Sequence, residues 1–587
     1  MKQMFYTSEE HFRILIALLK AHNIRRIIIS PGMTNVTFVG SVQNDPYFEL
    51  YSEIDERSAG YMACGMAEQS GQPVVLSCTG ATASRNYIPA LTEAYYRHLP
   101  VLAVTSSQHF GRIGNYIAQV TDRKPPEDCA KFSLNISMLH TDSDKWACAV
   151  KMNEAILALT HNGGGPVHLN IATSYSSDFS VRELPDVKVI RRIDYDSENM
   201  PEIHAKTVGI FIGSHVKCSH ELTALIEAFC EKYNGAVICS NTSGYSGKYR
   251  ITTYLAGMSP RKNMALLIHI GNISESMSVK PEEVWRVNPD GKVRDTFQKL
   301  RYVFQMTEEE FFSRYVNLRG GGVQRNTEYY SAWRNDYDYA ASLVPELPFS
   351  NLWIAQNTIP KLPSGSVLHL GILNSMRSWN YFEYPHNDIY AYCNTGGFGI
   401  DGCLSSLAGA SIASPEKLFF GVIGDLAFYY DINALGNRNI GKNLRLMMVN
   451  NGRGQEFRIY HSFAGSNFGE NTDPFMAAAG HFARDNRDFL RHYAEDLGFE
   501  YLSASNKEEY LAHLEHFTTP EILDRPIFFE VFTDTKDESD ALAEILGIEA
   551  LKLLPAPERR KRLIKRAVKK LLGKKLTKLV KQIRGRR

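Results

Sequence analysis

Eleven short apolar runs recur along the chain, most closing on a small or polar turn, with helical patterns between many of them. In the first part they are Ile27 to Ile29, Val74 to Cys78 and Val101 to Thr105. Amphipathic spacing from His11 to Ala21, and stretches near Ala59 to Ala67 and Ala90 to Tyr96, read as the intervening helices. Val208 to Ile212, Ala236 to Ser240 and Leu266 to Ile270 repeat the pattern. So do Ser366 to Leu370, Ile389 to Tyr392, Leu418 to Ile423, Leu444 to Val449 and Ile527 to Val531. Strands alternating with helices predict parallel α/β sheets that bind ligands at the carboxyl ends of their strands. The expected fold is three doubly wound α/β domains, at 1–186, 200–345 and 349–540, followed by a basic C-terminal helix at 556–587. The Gly- and Tyr-rich stretch 320–342 is expected to be a connector.

A chain of 587 residues is too long for one core, in keeping with several domains. No apolar run approaches the roughly 18 residues that cross a bilayer. Thr7-Ser8-Glu9-Glu10 reads as a helix cap rather than a leader, and nine cysteines without a C-x₂-C pair indicate neither zinc nor disulfides. The cytoplasm is the expected compartment. The net charge of +1 conceals an asymmetry: 558–587 holds 15 Lys/Arg and one acidic residue, whereas the remainder carries 50 basic against 63 acidic. Leu563, Ala567, Leu571, Leu576, Leu579 and Ile583 fall between these cations at helical spacing. Such a basic amphipathic helix suits the headgroup region of an anionic membrane, here the inner face, with nucleic acid the lesser competitor and a solvated tail the plain reading.

The most informative chemistry lies in Gly424-Asp425-Leu426 and, 23 residues later, Asn450-Asn451-Gly452-Arg453-Gly454. Each follows a strong apolar strand. A carboxylate and an amide oxygen delivered by strand ends suit a hard cation such as Mg²⁺, whose remaining ligands come from water and a diphosphate. The glycines let backbone N–H groups approach phosphate. Taken alone, Gly-Asp and Asn-Asn-Gly are ordinary turn sequences.

This pattern resembles the cofactor signature of thiamine diphosphate enzymes. Within that superfamily, Asp55-Glu56-Arg57-Ser58-Ala59, Cys78-Thr79-Gly80-Ala81-Thr82-Ala83, Trp285 to Gly291, Gly399-Ile400-Asp401-Gly402 and Gly424 to Leu435 resemble the SEPHCHC synthase family of the menaquinone pathway. Members of that family decarboxylate 2-oxoglutarate and add the four-carbon unit to isochorismate. The resemblance implies thiamine diphosphate and Mg²⁺ as cofactors, with Asp425, Asn451 and the Arg453 carbonyl on the metal. It implies Gly32, Thr79, Asn374, Ser375, Gly397, Gly399, Ile400, Asp401, Gly424 and Leu426 around the cofactor. It implies that Glu56 hydrogen-bonds N1′ of the pyrimidine to activate C2, a role suited to a largely desolvated carboxylate, and that Gln119 is catalytic. A surface carboxylate at a helix N-terminus is the plain reading of Glu56. The superfamily places the cofactor between subunits, so a homodimer or homotetramer is implied. Gly397 to Gly402 also satisfies G-x-G-x-x-G, which leaves a nicotinamide dehydrogenase as a competing class.

The chain departs from the synthase pattern at three arginines. Thr34 (in Ser30-Pro31-Gly32-Met33-Thr34), Gln108 (before His109) and Thr395 stand where the family has Arg. Arginine forks bind carboxylates bidentately, and uncharged side chains do not replace them. Arg377 sits two positions early in an Asn-Ser…Arg loop that holds the donor, and Glu456 replaces an aliphatic residue before Phe457. Glu456 suits a hydroxyl-rich or cationic acceptor, or simply solvent; His109 suits a proton shuttle, though a lone loop histidine is more often incidental. The expected reaction is decarboxylation of a 2-oxo acid with carboligation to an acceptor other than isochorismate. Simple decarboxylation, the orthodox synthase reaction and a non-catalytic scaffold acting through its tail are the alternatives.

Overall fold

A computed structural model describes residues 5–108, 110–112, 114–115, 125–271, 279–318, 326–481, 486–552, 557–558 and 561. His109, Gln119 and nearly all of the basic tail lie outside them.

The first sheet has six parallel strands in the spatial order Glu49–Ser52, Arg26–Ile29, Val74–Thr79, Val101–Gln108, Val167–Thr173, Phe132–Ile136. Its central strands are buried along almost their whole length, which is why they read as continuous apolar runs. Helix Glu10–Ala21 covers the sheet with Phe12, Leu15, Ile16 and Leu19. Helix Glu56–Ser70 presents small residues instead (Ala59, Gly60, Ala63, Ala67). A Cβ on Gly60 would stand 2.6 Å from that of Ala90, so this helix packs closely on helix Ile88–Tyr96.

The last sheet is also six-stranded and parallel: Tyr390–Tyr392, Val367–Leu370, Phe419–Gly424, Leu444–Asn450, Ile527–Phe532, Glu500–Ala504. Numbered within themselves, both six-stranded sheets run 2-1-3-4-6-5. In such sheets the order reverses beside the first strand, which opens a crevice at the carboxyl edge. The chain divides into two compact units, 1–200 with 283–307, and 201–282 with 308–587. The second unit holds the strand run Arg250–Thr252, Gly235–Cys239, Val208–Ile212, Asn263–Ile270, and the first holds most of Lys280–Val287 with Leu300–Gln305 and Arg191–Asp194.

All eleven expected strands form, to within a few residues at their ends. Two expectations fail. The supposed connector contains helix Glu328–Ser342, because Tyr329, Trp333, Tyr337 and Ala340 fall on one face and are buried. Thr7 does not cap the first helix: Glu9 is the cap residue and makes no side-chain cap bond. The Glu9 carboxylate instead accepts from Thr173 Oγ1 (3.0 Å), Ser174 Oγ (3.1 Å) and Ser176 N (3.0 Å), so it ties the helix start to the end of a strand. All nine cysteines are free thiols. Among the described residues no helix is long and apolar enough to cross a membrane.

Candidate functional site

The candidate residues gather in two places, one at the carboxyl edge of each six-stranded sheet. In the first unit, the turn after Arg26–Ile29 brings Gly32 against Thr79 at the end of the next strand. A Cβ at Gly32 would fall 1.9 Å from Thr79 Cγ2, so any side chain here would push Thr79 aside. The turn is locked from beneath by Asn35, whose Oδ1 accepts from Ser77 Oγ (2.6 Å) and whose Nδ2 donates to the Ser30 carbonyl (3.3 Å). Glu56 opens helix Glu56–Ser70 behind its cap Asp55, whose Oδ1 accepts from Arg57 N (2.9 Å) and Ser58 N (3.2 Å). The Glu56 carboxylate is half-buried and meets Asn86 Nδ2 at 3.4 Å, so within one chain it is not the largely desolvated group expected. Thr34 donates its hydroxyl to the Ser106 carbonyl, and Gln108 ends its strand half-buried.

In the second unit, Gly424 pairs with Val449 across neighbouring parallel strands. Asp425 then begins helix Asp425–Tyr430, only 2% exposed, with Oδ1 accepting from Leu426 N (2.8 Å). Asn450, also buried, donates Nδ2 to Glu530 Oε1 (2.7 Å) and accepts from Gly452 N on Oδ1 (3.1 Å). Glu530 Oε2 accepts from Tyr501 OH (2.8 Å), and burial raises the Glu530 pKa. The turn is braced from its far side by Asp473, which pairs with Arg453 (2.8 Å) and Arg458 (3.2 Å), and by Gly454 N on the Ala477 carbonyl (2.6 Å).

The remaining candidates surround these strand ends. Gly371 N donates to Val422 O (2.8 Å) and starts the turn into helix Asn374–Trp379, with Ser375 buried. Arg377 on that helix pairs with Glu456, Nη1 to Oε1 at 2.7 Å. Phe457 beside it is 39% exposed. Thr395 is buried, Phe398 sits at φ +56, and Ile400 packs against the core under helix Cys403–Ala413. Gly397 and Asp401 are exposed and Gly399 half-buried in that loop. Asp431 accepts from Ser405 N and Oγ, both at 2.6 Å, and so fixes the start of this helix.

The residues present fit a divalent cation with a diphosphate. Asn451 Oδ1 is buried with no hydrogen-bond partner among the described residues, an unusual state for an amide oxygen without a ligand. A Cβ at Gly424 would meet nothing within 4 Å, so the backbone lies open on that side. Glu530 and Asp473 were missed by sequence reasoning; the Arg453-to-Asp473 and Asn450-to-Glu530 separations carry no motif.

A family model described as the N-terminal TPP-binding domain of thiamine pyrophosphate enzymes matches residues 10–126. The 2-succinyl-5-enolpyruvyl-6-hydroxy-3-cyclohexene-1-carboxylate synthase of Bacteroides fragilis is 31% identical over 573 residues, covering 92% of this chain and 99% of its own. The synthase of the same name from Phocaeicola vulgatus is 31% identical over 574 residues, covering 92% and 98%. That of Flavobacterium psychrophilum is 27% identical over 564 residues, covering 91% and 98%.

Proposed function

The chain belongs to the 2-succinyl-5-enolpyruvyl-6-hydroxy-3-cyclohexene-1-carboxylate synthase family of thiamine diphosphate enzymes, and from that premise we propose that it decarboxylates a 2-oxo acid and joins the acyl unit to an acceptor other than isochorismate. One observation carries the departure from the relatives. Thr34, Gln108 and Thr395 stand, by the resemblance set out above, where the family pattern has arginine, and the Thr34 hydroxyl is already engaged by the Ser106 carbonyl. None of the three offers a charged fork to the carboxylates of isochorismate.

Thiamine diphosphate, when bound, supplies the electron sink for loss of CO₂ from a 2-oxo acid. Asp425, Asn451 and the Arg453 carbonyl would hold Mg²⁺ against the diphosphate, with Gly424 and Leu426 beside it. Glu56 would hold N1′ of the pyrimidine, in the half-site that Gly32 and Thr79 shape. Asn374, Ser375, Gly397, Gly399, Ile400 and Asp401 would line the cofactor from the other half. Gln119 is assigned to catalysis and His109 to the acceptor side on sequence alone. We assign the two half-sites of one active site to different subunits of a homo-oligomer. Exposed apolar side chains on both halves support this, among them Ile54 (79%) and Phe475 (92%). The cytoplasm is the proposed compartment, and the basic tail is assigned to an anionic membrane surface on its composition.

The test is direct. Supplied with 2-oxoglutarate and isochorismate, the enzyme is expected to form no SEPHCHC product at a meaningful rate. Each lost charge-assisted hydrogen bond costs about 1.5–3 kcal/mol, so three amount to a factor of about 10³ or more. Efficient formation of that product, followed by chromatography, would restore the relatives' reaction.

A further inference from the structure

The Arg377–Glu456 pair joins the strand ends on either side of the strand that delivers Asp425. Arg377 follows strand Val367–Leu370, Glu456 follows Leu444–Asn450, and Phe419–Gly424 runs between them. A guanidinium at a strand end is an anion receptor, and a free one would take a substrate carboxylate. Here its partner is a carboxylate of the same chain, tethered at high effective concentration. A substrate carboxylate entering at Arg377 must share the guanidinium with Glu456 and meets the repulsion of that like charge at close range.

Glu456 Oε2 completes the picture. It is buried and has no hydrogen-bond partner among the described residues, although Oε1 is engaged by Arg377. A buried carboxylate oxygen in that state is satisfied by an incoming donor. An ammonium would sit close to the Arg377 guanidinium and be repelled by it; a neutral hydroxyl would not. We infer that Glu456 sets the substrate class: the 2-oxo acid used here carries a hydroxyl at its far end and not a second carboxylate. This deepens the carboligase reading and rests on it for the 2-oxo acid. The recognition of the far end stands on the ion pair alone.

The experiment separates the two. Binding of glutarate, a dicarboxylate with no oxo group to react, is measured by calorimetry on the holoenzyme. The proteins are wild type, Glu456→Gln, Glu456→Leu and the double variant Arg377→Met/Glu456→Leu. Wild type is expected to bind glutarate at least about tenfold more weakly than either Glu456 variant, and the double variant is expected to lose the gain. In parallel, kcat/KM is compared for 4-hydroxy-2-oxobutanoate and 2-oxoglutarate. Wild type should favour the hydroxy acid, and Glu456→Leu should reverse the preference. The inference is overturned if wild type binds glutarate as tightly as the variants, or if wild type prefers 2-oxoglutarate. The second of these reads on the unmodified protein and survives misfolding of any variant. If glutarate behaves as expected but no 2-oxo acid is decarboxylated, the carboligase reading fails and the role of Glu456 in excluding a carboxylate stands.

Discussion

Asp425 and Asn451 leave neighbouring parallel strands from almost the same level, one and two residues beyond the paired Gly424 and Val449. A carboxylate and an amide oxygen are thereby presented side by side at one sheet edge, as a cation bridging to a diphosphate requires. Asp425→Ala is expected to weaken Mg²⁺-dependent thiamine diphosphate binding by about a hundredfold or more, the scale of one lost charged contact. Calorimetry reads this directly, and chelation of Mg²⁺ from the wild type should produce a similar loss. Unchanged affinity in the variant would remove Asp425 from the metal.

Glu56→Gln should leave the cofactor bound but slow exchange of its C2 proton by orders of magnitude, because an amide does not accept the N1′ proton. Hydrogen–deuterium exchange at C2, followed by NMR after acid quench, separates this from a binding defect. A wild-type exchange rate would strip Glu56 of its assigned role.

A third expectation concerns pH and stability. Glu538 is buried, accepts from Asn351 N (3.0 Å) and Thr533 Oγ1 (2.8 Å), and is pushed up to about 7, chiefly by burial. A carboxyl with a raised folded pKa contributes its full stability below its ordinary value of 4.5, and that stability is lost as pH climbs through about 7. The loss between pH 5 and pH 8 is on the order of 2 kcal/mol. His168 and His369, both held down to about 4 by burial, act in the opposite sense, losing stability as pH falls below their usual range. They are common to wild type and variant, so the comparison with Glu538→Gln isolates the carboxyl. The melting temperature of Glu538→Gln relative to wild type should rise from pH 5 to pH 8. A difference that stays flat across that range would contradict the assignment.

Ending the chain at Pro555 should leave turnover of soluble substrates intact and abolish flotation with vesicles rich in anionic lipid. Each cation near such a surface contributes about 1 kcal/mol, and the apolar stripe adds burial. Full-length protein that remains unbound to both anionic and neutral vesicles would end the membrane assignment and make nucleic acid the next partner to test.

The central strands were legible because they are buried on both faces and therefore uniformly apolar, as in Val208–Ile212 and Leu444–Asn450. Edge strands mostly were not, Tyr390–Tyr392 being the exception. Glu49–Ser52 and Arg191–Asp194 are mostly exposed or half-buried, so neither an apolar run nor a clean alternation marks them. Val167–Thr173 escaped for a different reason: His168 and Asn170 interrupt it, yet each is satisfied by Thr105 on the adjacent strand. The proposed metal pair, Asp425 and Asn451, and the Gly32–Thr79 contact followed from motifs that lie at strand ends. Glu530 did not, because it meets Asn450 only through strand pairing across 80 residues of sequence. The Arg377–Glu456 pair was equally invisible: both residues were singled out, but nothing in their spacing says that they touch.

Glu530 also bears on when the metal turn becomes ordered. Its carboxylate grips Asn450 from one side and Tyr501 from the other, and Asn450 in turn holds Gly452 N. The backbone on either side of Asn451 is therefore fixed by the sheet itself, before any ligand arrives. Conformational entropy that a loose glycine turn would surrender on binding has already been surrendered on folding. If cofactor capture takes place at this turn as proposed, it is expected to be limited by encounter and dehydration of the ion rather than by a search through loop conformations.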